Sequence, residues 1–407
     1  MSSQGSVPSS PTRHLAGTWL FCVALCLSLF VLRTYLRVYN PRFGWTKLIV
    51  IGAAGTNDDL PRLRQLTYYV DPLPEDRFGY DGQFYAQLAL DPSLRDPALV
   101  AALDLPAYRA RRIGLPALAF CLGWGNPGRI IQAYALANLF FWFLLLGALS
   151  SLFRPWTGKQ LLCLSAGLLS YGVIASMSFA LTDLPAAALV FLGAAIGSWG
   201  GYLAFSGAVL TRETSLLAAF GFLDLRRPWR SAVWRRNLGL LALAIVPLAA
   251  WLIYVGHRFG GGQGAAGEQN FAWPLQAMFA RFTARVYQCA HGNPGQHAAW
   301  YKWFYKDHNA RELMTIVGIF VQGLFFILRQ ETQSPFWRTG VCYLALGCVL
   351  GPAVWEQAGA AARVLLPMTL CFYLLLARER AGWFWPFFVL GSLSIPYGVR
   401  EFWLLSG

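Results

Sequence analysis

Stretches of about 15 to 25 apolar residues recur from Leu15 to Leu405, and each is long enough to cross a hydrocarbon core about 30 Å thick. Inside such a core no water is available to the backbone, so a chain built this way is confined to a bundle of helices. Candidate spans are residues 15–36, 126–153, 160–181, 183–199, 200–211, 214–225, 237–257, 310–328, 339–356, 361–377 and 383–399. The expected fold is an all-α integral membrane bundle of about 11 transmembrane helices, some short. Only 13% of the 407 residues are charged and 56% are hydrophobic, far from the roughly 25% charged residues of soluble domains. The run Leu15 to Leu36 is too long for the core of a signal peptide and reads as a retained first helix behind a tail of residues 1–14.

The formal charge of +14 does not point to nucleic acid, because the arginines sit in short loops beside apolar runs. Arg226, Arg227, Arg230, Arg235 and Arg236 crowd RRPWRSAVWRR, the pattern of a cytoplasmic loop. Residues 38–125 then form a large first external loop, 126–257 a transmembrane core, 258–309 a second external loop, and 310–407 the C-terminal helices. If RIGLPALAFCLGWG, Arg112 to Gly125, dips into the membrane without crossing, Arg154, Lys159, Arg329, Arg338, Arg378 and Arg380 all share the cytoplasmic side with the five-arginine loop. The first loop, TDLP, TRET and EQAGAAAR then share the opposite side, with the N-terminus cytoplasmic.

Ionisable residues in apolar surroundings are expensive and mark function. Here they are Asp183, Arg212, Glu213, Glu356 and Arg363, and that topology sets them on the same side as Asp81 in YDGQFYAQLALDP. A carboxylate can take the proton from an acceptor hydroxyl, and arginines can neutralise a departing phosphate. Each residue also has a structural role open to it. Asp81 can cap a helix over Gly82 to Leu90, which Asp91-Pro92 stops and which would lie along the membrane surface through Phe84, Tyr85, Leu88 and Ala89. Asp183 can cap the helix whose first turn holds Pro185, Arg212 and Glu213 can pair at a hairpin tip, and Arg109 reads as an interfacial anchor. KLIVIGAAG offers a short strand.

Other patterns carry less. Gly262, Gly264 and Gly267 have GxGxxG spacing without a βαβ context. His291, His297 and His308 lack ligand spacing, so no zinc site is expected. Seven of the eight cysteines lie in apolar runs, leaving Cys289 in a polar loop, with no disulfide framework. Trp300 to Tyr305, WYKWFY, suits a membrane interface.

Four motifs in order resemble those of the GT-C superfamily of polytopic glycosyltransferases. YDGQFYAQLALDP resembles its acidic first-loop motif and RRIGLPALAF the segment that follows. TDLPAAALVF and LTRETSLL resemble the protein O-mannosyltransferase and aminoarabinose-transferase branch, and EQAGAAARVLLP matches more weakly. The resemblance covers about the first 225 residues. It implies a GT-C-like bundle with juxtamembrane helices in the first loop, in a bacterial cytoplasmic membrane. It also implies transfer of a sugar from a polyprenyl-phosphate donor to a glycan, lipid or protein acceptor on the external face, usually with inversion. On that reading Asp81 is the general base, Arg212 contacts the donor phosphate and Asp183 positions a substrate. Sidedness adds Arg363, and Arg111 or Arg112, as further phosphate contacts, with Tyr80, Gln83, Glu213 and Glu356 as substrate-binding candidates. The chain departs from better-known members in having no acidic pair at the first-loop position, although Asp58-Asp59 lie upstream, and no large soluble C-terminal domain. That leaves Asp58 or Asp59 as alternative bases and the metal requirement open, with no metal site expected. A transporter or flippase for a lipid-linked sugar, or an inactive scaffold, are the competing readings.

Overall fold

The computed structural model describes residues 10–53, 59–71, 78–154, 156–197, 199–222, 232–260, 270–291 and 308–405. It is helical almost throughout. Among the described residues five helices are long and apolar enough to cross a membrane: Gly17–Val38, Pro127–Leu152, Gly158–Ser178, Leu241–Phe259 and His308–Leu328. Asp183–Ile196, Leu366–Leu376 and Ala381–Gly391 are shorter apolar helices. The chain is thus a membrane-embedded, predominantly helical protein. Several of the other apolar runs expected to span form shorter or broken helices.

The breaks have local causes. The Gly158–Ser178 span is itself interrupted at an extended Ser170, where α8 (Gly158–Leu168) gives way to α9 (Tyr171–Ser178). Residues 200–225 give α11 (Trp199–Thr211) and α12 (Leu216–Phe222), separated by a 3-10 turn at Glu213–Ser215. The 339–356 run ends as a helix at Val349 and resumes as Pro352–Trp355 after Gly351. Residues 383–399 give Ala381–Gly391 and a second, amphipathic helix, Ile395–Leu404. The five-arginine loop lies largely outside the described residues.

The first loop is a folded unit. A two-residue strand β1 (Ile51–Gly52) pairs parallel with β2 (Val70–Asp71), so KLIVIGAAG yields a strand of two residues after a 3-10 turn at Thr46–Ile49. Around it stand α2 (Pro61–Arg64), α3 (Asp81–Leu90), α4 (Leu99–Ala102), α5 (Pro106–Ala110) and α6 (Gly114–Leu122). Nine residues of α6 reach about 13 Å, well short of a crossing, before the chain turns at Gly125 into α7 (Pro127–Leu152).

Helix α3 differs from expectation. It does not lie along a surface: Tyr85, Ala86, Leu88, Ala89 and Leu90 are all buried, and so are Gln83 and Gln87 on its other side. The amides make that possible. Gln83 accepts from Gly52 N (3.1 Å) and donates to Phe78 O (2.7 Å), while Gln87 accepts from Leu60 N (2.9 Å) and donates to Asp59 Oδ1 (2.7 Å). Each buried polar group is therefore satisfied. At the start of α3, Gly82 sits against the carbonyls of Phe179 and Ile49 so closely that a Cβ would stand 2.9 Å from Ile49 O. This contact brings the first loop down onto α9 and α10 (Asp183–Ile196).

The two ends of the bundle differ in charge chemistry. At one end Arg329 Nε meets Glu379 at 2.7 Å and Lys159 Nζ donates to Glu379 O at 2.6 Å, which gathers three of the basic loops. The acids and arginines expected on the other side gather at the other end.

Candidate active site

Asp81 and Asp183 occupy equivalent places, each the first residue of its helix, yet neither carboxylate caps the backbone. At α3 the N-cap is Tyr80, held extended by its own N–H to Val50 O at 3.0 Å. At α10 Ser176 Oγ accepts from Leu184 N at 2.9 Å, supplying the bond that Asp183 was expected to make. Both carboxylates instead face guanidinium groups, which bind a carboxylate more strongly than backbone amides do.

The result is an alternating chain of charge. Arg109 Nη2 lies 2.9 Å from Asp81 Oδ1 and 2.7 Å from Asp104 Oδ2. Arg363 Nη1 lies 3.9 Å from Asp81 Oδ2 and 3.5 Å from Asp183 Oδ2. Arg212 closes on the other oxygen of Asp183. Four helices and two connecting segments supply these groups, among them the helix Ala358–Val364 that carries Arg363. Tyr80 steadies the middle: its hydroxyl donates to Gln357 Oε1 (2.9 Å) and accepts from Arg363 Nη2 (3.1 Å), and its ring stacks on Phe179 at 4.3 Å.

A cavity of about 660 Å³ opens over this chain, lined by Asp81, Arg109, Arg112, Arg212 and Arg363 and rimmed by Glu356. Volumes of this order hold small organic ligands. Asp81 presents a side chain 32% exposed, whereas Asp183 is 1% exposed and lies beneath the lining. Arg212 Nε is buried with no hydrogen-bond partner among the described residues, an unmet donor of the kind a bound anion would satisfy. Burial works against the charged form of Asp81, but Arg109 and Arg363 outweigh it and hold the carboxyl below its ordinary range. Burial also raises the Tyr80 phenol, which stays protonated and able to donate.

Several expected contacts fall elsewhere. Arg111 is exposed and does not line the cavity. Arg109, expected to snorkel, is instead walled in by Phe84, with its guanidinium carbon 4.8 Å from the ring centroid, and fixed by two acids. Arg212 and Glu213 do not pair with each other, because the 3-10 turn that follows an extended Arg212 sends them apart. Glu213 binds Arg112 through two contacts of 3.0 and 3.1 Å, and Arg112 also donates to Tyr85 Oη (2.7 Å) and Tyr108 Oη (2.9 Å). Burial would raise Glu213, but Arg112 outweighs it and brings the carboxyl from 4.5 to about 2. Gln83 reaches the lining while both ends of its amide are taken by backbone. Asp59 also lines the cavity, but its oxygens accept from Tyr68 Oη (3.0 Å) and Gln87. Asp58, the GxGxxG glycines, His297 and the WYKWFY run lie outside the described residues. Among the described residues no three of His, Cys, Asp and Glu come together as a metal site.

Asp104, Tyr108 and Gln357 were not singled out by sequence, and Arg109 was read only as an interfacial anchor. One signal was present: on a helix, Arg109 and Arg112 stand three apart on one face, and Arg111 falls off it. No family model, curated protein or solved structure matches the chain.

Proposed function

We propose that the chain is a membrane glycosyltransferase that moves a sugar from a polyprenyl-phosphate donor to an acceptor hydroxyl. One observation carries the reading: a part-exposed Asp81 carboxylate shares a cavity with Arg112, Arg212 and Arg363. The donor phosphate fits Arg212, with its unmet Nε, and Arg363, whose contacts to both acids are long. The acceptor oxygen attacks the anomeric carbon, the bond to phosphate oxygen breaks, the proton passes to Asp81, and the phosphate remains on the lipid. A carboxylate held by two arginines is a weak base. Phosphate binding offsets this, since each contact that Arg363 shifts from Asp81 to phosphate raises the basicity of Asp81. The cavity then faces the external side, in a bacterial cytoplasmic membrane.

The same pairing favours a second reading, binding without chemistry, as in a transporter or flippase for a lipid-linked sugar. Purified protein supplied with a panel of polyprenyl-phosphate sugars separates the two. Transfer should occur and should fall about 10²- to 10⁴-fold in Asp81→Asn, the usual contribution of a positioned base. Turnover untouched by that change removes Asp81 from the chemistry, and lipid movement without transfer establishes the second reading.

A further inference from the structure

Helix α14 (Gln276–His291) is amphipathic in the reverse sense to a helix on a soluble protein. Its arginines, Arg281 and Arg285, point inward. Arg281 Nη2 lies 3.0 Å and Arg285 Nε 2.5 Å from Glu312 Oε2, and the Glu312 side chain is 1% exposed. His308 Nε2 meets the other oxygen at 3.2 Å. The outward face carries no Lys, Arg, Asp or Glu: Phe279 is 50% exposed, Val286 41% and Tyr287 63%, with Thr283 and Ala284 between them and, towards the C-terminal end, exposed Gln288 and His291, the latter stacked on Tyr287 at 4.2 Å.

We propose that the outer face of α14 lies in the membrane interface and is covered by lipid chains. Two positions fix this occupant. Glu312 stands one turn into His308–Leu328, one of the candidate spans, so α14 is tethered at the level where that span ends. That span exposes its own apolar flank, with Phe320 48% exposed, as a helix bathed in lipid does. Trp273, 81% exposed just before α14, adds the aromatic residue that favours the headgroup level. An apolar face with inward arginines is unfavourable against water and favourable against lipid.

The contact also reaches the cavity. Arg281 donates to Glu356 O, and the strand-like segment before α14 is tied to the chain beyond Val349 by Ala272 N to Val349 O (3.0 Å) and Gly351 N to Asn270 O (2.7 Å). Asn270 and Glu356 both line the cavity, so the lipid-facing helix and the cavity rim are one connected piece. A lipid carrying a polar head would meet this rim first.

The test does not depend on any transfer activity. A photoreactive benzoylphenylalanine replaces Phe279, Val286 or Tyr287 in the full chain reconstituted in bilayer nanodiscs, with Phe320 as the lipid-facing reference and Arg111 as the exposed polar one. After irradiation, all three positions should carry lipid adducts about tenfold or more above Arg111, approaching Phe320. Adducts at Phe320 but at none of the three overturn the proposal. So does crosslinking of the three to a second copy or to residues 292–307 of the same chain.

Discussion

Two clusters in this molecule use the same chemistry to opposite ends. At Glu312 one buried carboxylate takes two arginines and a histidine, with Arg285 held further by Gln288 at 2.5 Å. The cluster ties α14 to a spanning helix, and no acid in it is presented to a cavity. At Asp81 the carboxylate also takes two arginines, but its side chain is 32% exposed, one arginine stands off at 3.9 Å, and a cavity opens above. Charge in apolar surroundings is thus not a sufficient sign of a site. What distinguishes the two is whether the carboxylate is exposed, and whether space remains where another charge would fit.

The sharpest way to break this contrast is to neutralise each acid. Glu312→Gln leaves Arg281 and Arg285 facing a buried neutral group, and should destabilise the protein by about 3–5 kcal/mol. Thermal unfolding in detergent reads this, with turnover per folded molecule little changed. Asp81→Asn should do the reverse. Arg109 keeps Asp104 and Arg363 keeps Asp183, so stability should move by no more than about 1 kcal/mol, as for partly exposed pairs, while transfer falls about 10²- to 10⁴-fold. Equal stability losses would mean that both clusters are structural.

A smaller effect appears in pH dependence. Asp81 has a folded value below the ordinary carboxylate, so it is ionised throughout the neutral range. The acid limb of kcat/KM, which reports the ligand-free protein, should therefore lie below pH about 4. A limb centred near neutrality would assign the rate to another group. Stability responds in the same window. Glu213 is depressed from 4.5 to about 2, so its pairing with Arg112 contributes fully above pH 4.5 and is lost as pH falls towards 2. The sign follows because the unfolded state binds the proton first. Unfolding temperature should drop across that interval, and Glu213→Gln should remove part of the drop.

Much of this was legible in the sequence, for a physical reason. Spans are visible because lipid tolerates few polar side chains, and Asp183, Arg212 and Arg363 stand out against them for the same reason. The breaks were not visible, since an extended residue such as Ser170 depends on what packs around it. Glu312 was overlooked because it sits at the start of a span in HNARELMT, where polar residues look like loop. Its partners Arg281 and Arg285 are about 30 positions away, beyond any local pattern. Asp81 and Asp183 were legible as acids in helical first turns but not as uncapped ones. That depended on Val50 and Ser176 bonding the backbone instead.

The finest distinction lies within three positions. Arg109 and Arg111 have the same charge and nearly the same place in the chain, but helical geometry turns one into the cavity and the other out. Arg111→Ala should leave turnover unchanged and stability within about 0.5 kcal/mol, as for surface sites. Arg109→Ala frees Asp81 from its closest cation, so the Asp81 carboxyl should rise towards its ordinary value and carry the acid limb of turnover up with it. Lysine at position 109 preserves the charge but cannot span both acids with a planar fork, so its limb should fall between the other two. If Arg111→Ala shifted the limb and Arg109→Ala did not, the cation beside Asp81 in the working protein would be Arg111, and the two arginines would have to exchange places.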